Sequence, residues 1–253
     1  MKFTIITVSY NSGRDLINTC LSVISQSYKN LELIIIDGKS NDSSLSELRV
    51  INDRRLTIYS EKDHGIYDAM NKGIRLAQGD YAIFMNSGDF FANSGVLDEI
   101  SKIIKIEHDV IIGKNLMKGS IKTLRGIGHI WKGEYCCHQS TLIKLSALKK
   151  FKFDLSYQIA ADFNMLYTMY KHKYKIVLID CVISKTDPGG ISDLNRLDVY
   201  REYCKILISF DDLNLKRKVY FQIKMFLVRL KHPIKKLIYL LKINKFIEQI
   251  LKR

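Results

Sequence analysis

Proline and tryptophan are scarce in this chain, with two prolines and one Trp in 253 residues. So little proline argues against a Pro-rich linker or a disordered chain and leaves long stretches free for regular elements. Cysteine is limited to five residues with no C-x-x-C among them, which speaks against a disulfide framework and a zinc ribbon. Cys20 and Cys181 lie in apolar contexts and read as buried free thiols, while Cys136-Cys137 has no Cys/His cluster around it. There is no G-x-x-x-x-G-K-[ST], which excludes a P-loop, and no G-x-G-x-x-G after the first strand, which excludes a dinucleotide fingerprint. No uncharged apolar run approaches the ~18 residues of a membrane span. The first residues lead straight into a strand without a leader pattern. The expectation is a cytoplasmic protein, peripheral on the inner face of the plasma membrane.

What the chain does have is 47% hydrophobic residues and a net charge of +14 that is unevenly placed. Between Lys216 and Arg253 twelve Lys or Arg stand against a single Glu, so the rest of the chain is near neutral. A basic tail on a near-neutral body points to a local anionic partner rather than to nucleic acid along the whole surface.

Apolar runs alternate with helical spacing along the first half. Phe3 to Val8, Leu31 to Ile36, Leu56 to Tyr59 and Tyr81 to Met85 read as strands. Between them, Leu16, Cys20, Val23 and Ile24 recur at helical spacing, as do Ile66, Met70, Ile74 and Ala77, with Gly79 closing the second pattern. A short helix capped by Ser43 or Ser44 is expected between the second and third strands. This alternation predicts an α/β fold with a mostly parallel central sheet and crossover helices.

Each strand ends in a polar cluster: Ser9/Tyr10/Asn11, Asp37/Ser40/Asp42, Asp63/Gly65 and Asn86/Asp89. In an open α/β sheet these clusters share one edge, where ligands bind beyond the carboxyl ends of the strands. Further on, a helix is expected from about Gly95 to Ile106, and a strand at Val110 to Gly113. A hairpin is expected over Ser120 to Arg125, and a strand over Cys136 to Ile143 that carries His138. Tyr157 to Leu166 opens a helix with Asp162 near its start, where the helix dipole favours a carboxylate. Two short strands, Tyr174 to Ile179 and Val182 to Ser184, precede a loop at Asp187 to Ser192. Trp131 and Tyr135 are candidates either for an aromatic platform against sugar rings or for packed loop aromatics.

The order and spacing of these pieces resemble a bacterial family-2 glycosyltransferase of the GT-A (Rossmann-like) fold. The matching stretches are Thr7-Val8-Ser9-Tyr10-Asn11, Ile35-Ile36-Asp37-Gly38 with Ser40 and Asp42, and Asp63-His64-Gly65 through Ala69, Asn71 and Gly73. The turn Asn86-Ser87-Gly88-Asp89, His138-Gln139, Ala161-Asp162 and Gly189-Gly190-Ile191-Ser192 follow. The resemblance is closest to a surface-polysaccharide subgroup with an Asn-Ser-Gly-Asp turn, and it covers roughly residues 1–195.

The resemblance implies an inverting, metal-dependent transferase of the hexosyltransferase type. It would move a sugar from a nucleotide-sugar donor, UDP-linked, to a lipid-linked glycan. Val8, Ser9 and Tyr10 would line the base and ribose site, and Asp37 would accept from the base. Asp63 and Asn71 would shape the diphosphate and sugar end, with the turn residues Asn86, Ser87 and Gly88, and with His138 at the donor. Asp89 would hold Mn²⁺ or Mg²⁺, and Asp162 would be the general base. Two positions depart from the family pattern: Asn86 and Gly88 stand where acids are usual, and Ala161 precedes the base. The alternative is a catalytically silent module of the same fold that binds a nucleotide or nucleotide sugar.

The domain organisation expected is a GT-A domain over 1–210 and a basic helical extension over 211–253. Leu213 to Lys231 and Ile234 to Lys252 read as two basic helical stretches around His232-Pro233. Amphipathic basic helices of this kind lie on anionic membrane surfaces, and no nucleic-acid partner is expected.

Overall fold

The computed structural model describes residues 1–49, 51–121, 126–133, 137–187 and 189–230. The chain divides into two compact units, Met1–Gly190 and Ile191–Arg253. The first begins with β1 (Phe3–Ser9), every residue of which is buried, as its run of large and β-branched side chains requires of a central strand. After α1 (Arg14–Ile24) come β2 (Leu31–Asp37), α2 (Ser44–Leu48), β3 (Leu56–Ser60), α3 (Ile66–Leu76) and β4 (Tyr81–Phe84). β1 pairs in parallel with β2 and β4, and β2 in parallel with β3. The register sets Ser9, Asp37 and Ser60 side by side at the strand ends.

α1 buries Leu16, Cys20 and Val23 against this sheet, and α3 buries Met70 and Ile74. Gly73 keeps α3 close to β1, because a Cβ there would run into the side chain of Ile6. Burial pushes the thiols of Cys20 and Cys181 up to about 12, so neither is a nucleophile near neutral pH.

The second half of the sheet is mixed. β5 (Phe90–Phe91) and α4 (Val96–Ile103) lead to β6 (Val110–Met117) and β7 (Ser120–Ile121). Next come β8 (Thr141–Lys144), α5 (Leu145–Phe151), α6 (Ala161–Lys171) and β9 (Ile176–Thr186). The strand order among the described residues is β3-β2-β1-β4-β8-β6-β9-β5, with β7 beside β6. β8 is antiparallel to both β4 and β6, whereas β6 and β9 are parallel. The α/β architecture expected from the alternating pattern is therefore present, with its regular parallel part confined to β1 to β4.

Several local expectations are corrected. The strand expected from Cys136 begins only at Thr141, and His138–Ser140 is a turn of 3₁₀ helix. The two short strands near residue 180 are one strand, β9, whose pairing with β6 shifts register around Lys114. α4 stops at Ile103, and the loop expected after Asp187 contains α7 (Ile191–Leu194). Ser43 makes no capping bond to α2; Asp42 instead accepts from the Ser44 N–H at 3.2 Å. α3 ends before Gly79, which lies against β1, where a Cβ would fall 2.8 Å from the Lys2 carbonyl. Residues 122–125 of the expected hairpin, Tyr135, Cys136 and the stretch Ile234 to Lys252 lie outside the described residues.

The second unit contains α7, α8 (Arg196–Ser209) and α9, a helix over 215–230. Phe221 of α9 is fully buried and packs on Tyr200 and Tyr203 of α8, with ring centroids 5.9 and 6.2 Å apart. Other positions of α9, Leu215, Val219, Ile223, Phe226, Leu227 and Leu230, are exposed. No helix of the described residues is long and apolar enough to cross a membrane.

Candidate active site

At the carboxyl end of β2, Asp37 is fully buried and saturated with donors. It accepts from the Ser40 N–H at 3.0 Å, the Ser60 hydroxyl at 2.6 Å and the Ser40 hydroxyl. This carboxylate ties the ends of β2 and β3 and the loop after β2 together. Val8 and Ser9 are buried as well, whereas Tyr10, at 66%, and Asn11 are exposed. Tyr10 lines an open cleft of about 350 Å³ with Gly38, Lys39, Lys62 and Asp63. Asp63 accepts from the Gly65 N–H at 2.9 Å, and its Oδ2 sits so close to Gly38 that a Cβ there would be 2.6 Å away. Gly38 is thus the residue that lets the cleft floor form.

Asn71 lies on the buried face of α3. Its Nδ2 donates to the Phe153 carbonyl and its Oδ1 accepts from the Phe153 N–H, both at 2.9 Å. Both ends of the amide are spent on fastening the backbone of Phe153.

The turn after β4 is closed from two sides. Gly88 adopts φ 92°, a conformation costly for a residue with a Cβ. Its N–H donates to the Thr19 hydroxyl at 2.9 Å, and that hydroxyl donates to the Asn86 carbonyl at 3.3 Å. Ser87 bonds back to the Val8 carbonyl through both its N–H and its hydroxyl, at 3.3 and 3.2 Å. The turn is therefore welded to β1 and α1 before any ligand arrives.

Asp89 ends the turn with a partly buried carboxylate whose Oδ2 accepts from Gln139 Nε2 at 2.8 Å. Burial raises its acid range, and the charge of Asp187 adds to that. The hydrogen bonds from Gln139 and from the turn backbone pull it back only in part. A cation beside this carboxylate would relieve both the burial cost and the repulsion from Asp187. The donors are hard oxygens, the chemistry that suits Mg²⁺ or Mn²⁺. Among the described residues no group of three His, Cys, Asp or Glu forms a cage. Such ions are commonly held by one or two carboxylates plus substrate phosphates, so the residues present fit.

Asp162 lies in the first turn of α6 with a side chain 16% exposed. Its Oδ1 accepts from the Phe163 N–H at 2.7 Å, and the Tyr67 hydroxyl lies 3.5 Å away. That hydroxyl donates to the Ile159 carbonyl at 2.6 Å, so α3 positions the segment leading into α6. His138 stands between the turn and the helix. Its Nε2 is 2.9 Å from Asn86 Nδ2, and its Nδ1 is 3.6 Å from Asp162 Oδ2. The candidate residues of the turn after β4, of α6 and of the 3₁₀ turn are thus brought into one row, Asn86–His138–Asp162, with Asp89 joined to the same 3₁₀ turn through Gln139.

Sequence reasoning missed Tyr67, Thr19, Gln139 and Asp187. Tyr67 and Gln139 lie within the matching stretches, but spacing alone gives them no partner. Thr19 had no signal, since it sits on a helix face read as apolar. Of the two residues considered for an aromatic platform, Trp131 is 8% exposed and so packed inside, and Tyr135 lies outside the described residues.

Residues 4–174 match the family described as Glycosyl transferase family 2. The chain belongs to this family. It is 27% identical over 215 residues to a PGL/p-HBAD biosynthesis glycosyltransferase of Mycobacterium bovis (strain BCG / Pasteur 1173P2), an alignment covering 76% of this chain and 79% of the relative. Among solved structures it is similar to S. aureus TarS 1-349 in complex with UDP-GlcNAc, at 17% identity and a TM-score of 0.68. That match covers 82% of this chain and 67% of TarS 1-349. It is also similar to the mannosyltransferase PcManGT from Pyrobaculum calidifontis in complex with GDP-Man and Mn²⁺, at 15% identity and a TM-score of 0.65. Here the match covers 82% of this chain and 63% of PcManGT. Both likenesses show a shared fold.

Proposed function

We propose that this chain transfers a sugar, with inversion, from a UDP-linked donor to a hydroxyl of a lipid-linked saccharide in bacterial surface-polysaccharide synthesis. The observation that carries the reading is the row Asn86–His138–Asp162, which draws the turn of Asp89 and the carboxylate of α6 to a single side chain. Asp162 takes the proton from the acceptor hydroxyl as it attacks the anomeric carbon, which needs a carboxylate within hydrogen-bond reach of that hydroxyl. The cleft of Tyr10, Lys39, Lys62 and Asp63 takes the nucleoside, with two lysines near the phosphate end. Val8 and Ser9, being buried, back the cleft; Asp37, fully buried and taken up by Ser40 and Ser60, does not reach the base and instead braces the loop whose Gly38 and Lys39 line the cleft.

Asp89 would hold Mn²⁺ or Mg²⁺ together with the donor diphosphate, and such an ion offsets the charge that grows on the leaving group. The reading draws support from the relative named for PGL/p-HBAD biosynthesis and from solved structures of the same fold holding UDP-GlcNAc, or GDP-Man with Mn²⁺. A panel of nucleotide sugars incubated with the protein, Mn²⁺ and lipid-linked acceptors tests it. Transfer from one donor, lost in Asp162→Asn, is the expected outcome; nucleotide binding without transfer from any donor overturns it.

The chain works at the inner face of the plasma membrane. α9 exposes six large apolar residues at spacings of three and four and carries Lys216, Arg217, Lys218, Lys224 and Arg229 with no acid. Sedimentation with vesicles containing phosphatidylglycerol is expected to carry the protein down. Substituting Phe226 and Leu227 by Asp is expected to leave it in the supernatant, and unchanged sedimentation would remove α9 from the account.

A further inference from the structure

We propose that His138 is a positioning residue for Asp162, held by Asn86 in the tautomer that carries its proton on Nδ1. The inference rests on the reading of Asp162 as the base and assigns His138 a role other than donor binding. Asn86 Nδ2 lies 2.9 Å from His138 Nε2. An amide NH₂ can only donate, so the ring nitrogen facing it must be bare and accept. In a neutral imidazole the proton is then on Nδ1, the nitrogen that faces Asp162 Oδ2 at 3.6 Å. That separation is longer than a formed hydrogen bond, and a shift of the carboxylate by less than ~1 Å closes it. Catalytic hydrogen bonds of this kind are often long before substrate binds and tighten in the complex.

The orientation of Asn86 can be argued from what each choice leaves behind. As it stands, Asn86 Oδ1 is buried with no partner. The reversed amide would set Oδ1 against the ring, require Nε2–H, and leave the NH₂ in the buried, partnerless position. Orphaned buried N–H groups are rarer than under-satisfied carbonyl oxygens, so the observed orientation is the less costly one. It also turns the acid-to-amide departure at position 86 into a functional feature. A carboxylate there would accept from Nε2–H and remove the force that keeps the proton on Nδ1. With the amide, one edge of the ring is fixed by the turn after β4 and the other presents a donor to Asp162 Oδ2. Asp162 Oδ1 is meanwhile held by the Phe163 N–H, so the plane of the carboxylate is set from both oxygens.

The test combines a spectroscopic reading with a pair of conservative variants. In ¹⁵N-labelled protein without substrate, His138 is expected to show a protonated Nδ1 and a bare Nε2, and Asn86→Asp is expected to lose that preference. In turnover, His138→Asn keeps an amide N–H near the position of Nδ1, whereas His138→Gln keeps one only near Nε2. His138→Gln is expected to lower kcat on the order of 10²-fold, the scale of a misplaced reacting group, with donor KM unchanged. His138→Asn is expected to recover most of that loss. A proton on Nε2 in the wild type, equal damage in both variants, or a rise in donor KM without a fall in kcat overturns the inference. A wild type that transfers from no donor overturns the reading of the site, and with it any catalytic use of His138. Normal transfer with the opposite tautomer overturns this inference alone.

Discussion

Two carboxylates end neighbouring parts of the same sheet edge, and they are used in opposite ways. Asp37 is fully buried and receives an N–H and two hydroxyls from residues of its own and the adjoining strand end. Asp89 accepts from Gln139, yet burial and Asp187 still push its acid range up. The first carboxylate is satisfied by the protein and acts as a brace. The second sits where negative charge is unwelcome, and that is the condition a cation or a metal-bound diphosphate resolves. Position at a strand end therefore does not decide the role; the surrounding donors do.

The largest effect expected from breaking this contrast comes from Asp89→Ala. Turnover should fall about 10²- to 10³-fold, as for loss of one preorganised electrostatic group, while thermal stability holds. Asp37→Ala should do the reverse in kind. It strands an N–H and two hydroxyls, costs about 3 kcal/mol, and lowers Tm by roughly 6–12 °C in a thermal melt.

Asn71→Ala removes both bonds to Phe153 and should cost about 2 kcal/mol, lowering Tm by roughly 4–8 °C. Because the family resemblance implies a donor-binding role for Asn71, donor KM is the companion measurement. An unchanged KM assigns it to the brace.

The smallest effect is a pH dependence. The acid range of Asp89 is raised by folding, so its contribution is fully present below the ordinary carboxylate range. It is lost as pH rises through the raised range, since ionisation then costs more in the folded chain than in the unfolded one. Wild type should therefore lose stability relative to Asp89→Asn as pH rises from acidic toward neutral. Melts across that window check the sign, and Mn²⁺ with UDP should narrow the gap.

The part of the fold built from β1 to β4 was legible because each strand is a continuous apolar run and each helix has clear spacing. The mixed part was harder. β8 and β9 carry polar residues such as Thr141, Ser184 and Thr186, which are buried by pairing rather than by an apolar pattern. Ser140 and Ser184 share a hydrogen bond, and Asn115 bonds to Ser184 and Thr186, a network that hydropathy cannot see. Candidate site residues were likewise found where a strand-end motif marked them. Their partners, Tyr67 for the segment before Asp162 and Gln139 for Asp89, depend on contacts 92 and 50 residues apart along the chain.

The contrast between the two carboxylates is tested most directly by calorimetric titration of Mn²⁺ into the protein in the presence and absence of UDP. The account predicts weak Mn²⁺ binding alone and much tighter binding with UDP. That gain should be lost in Asp89→Asn, whose Tm should stay within a few degrees of wild type. Equal enhancement by UDP in wild type and Asp89→Asn would contradict it.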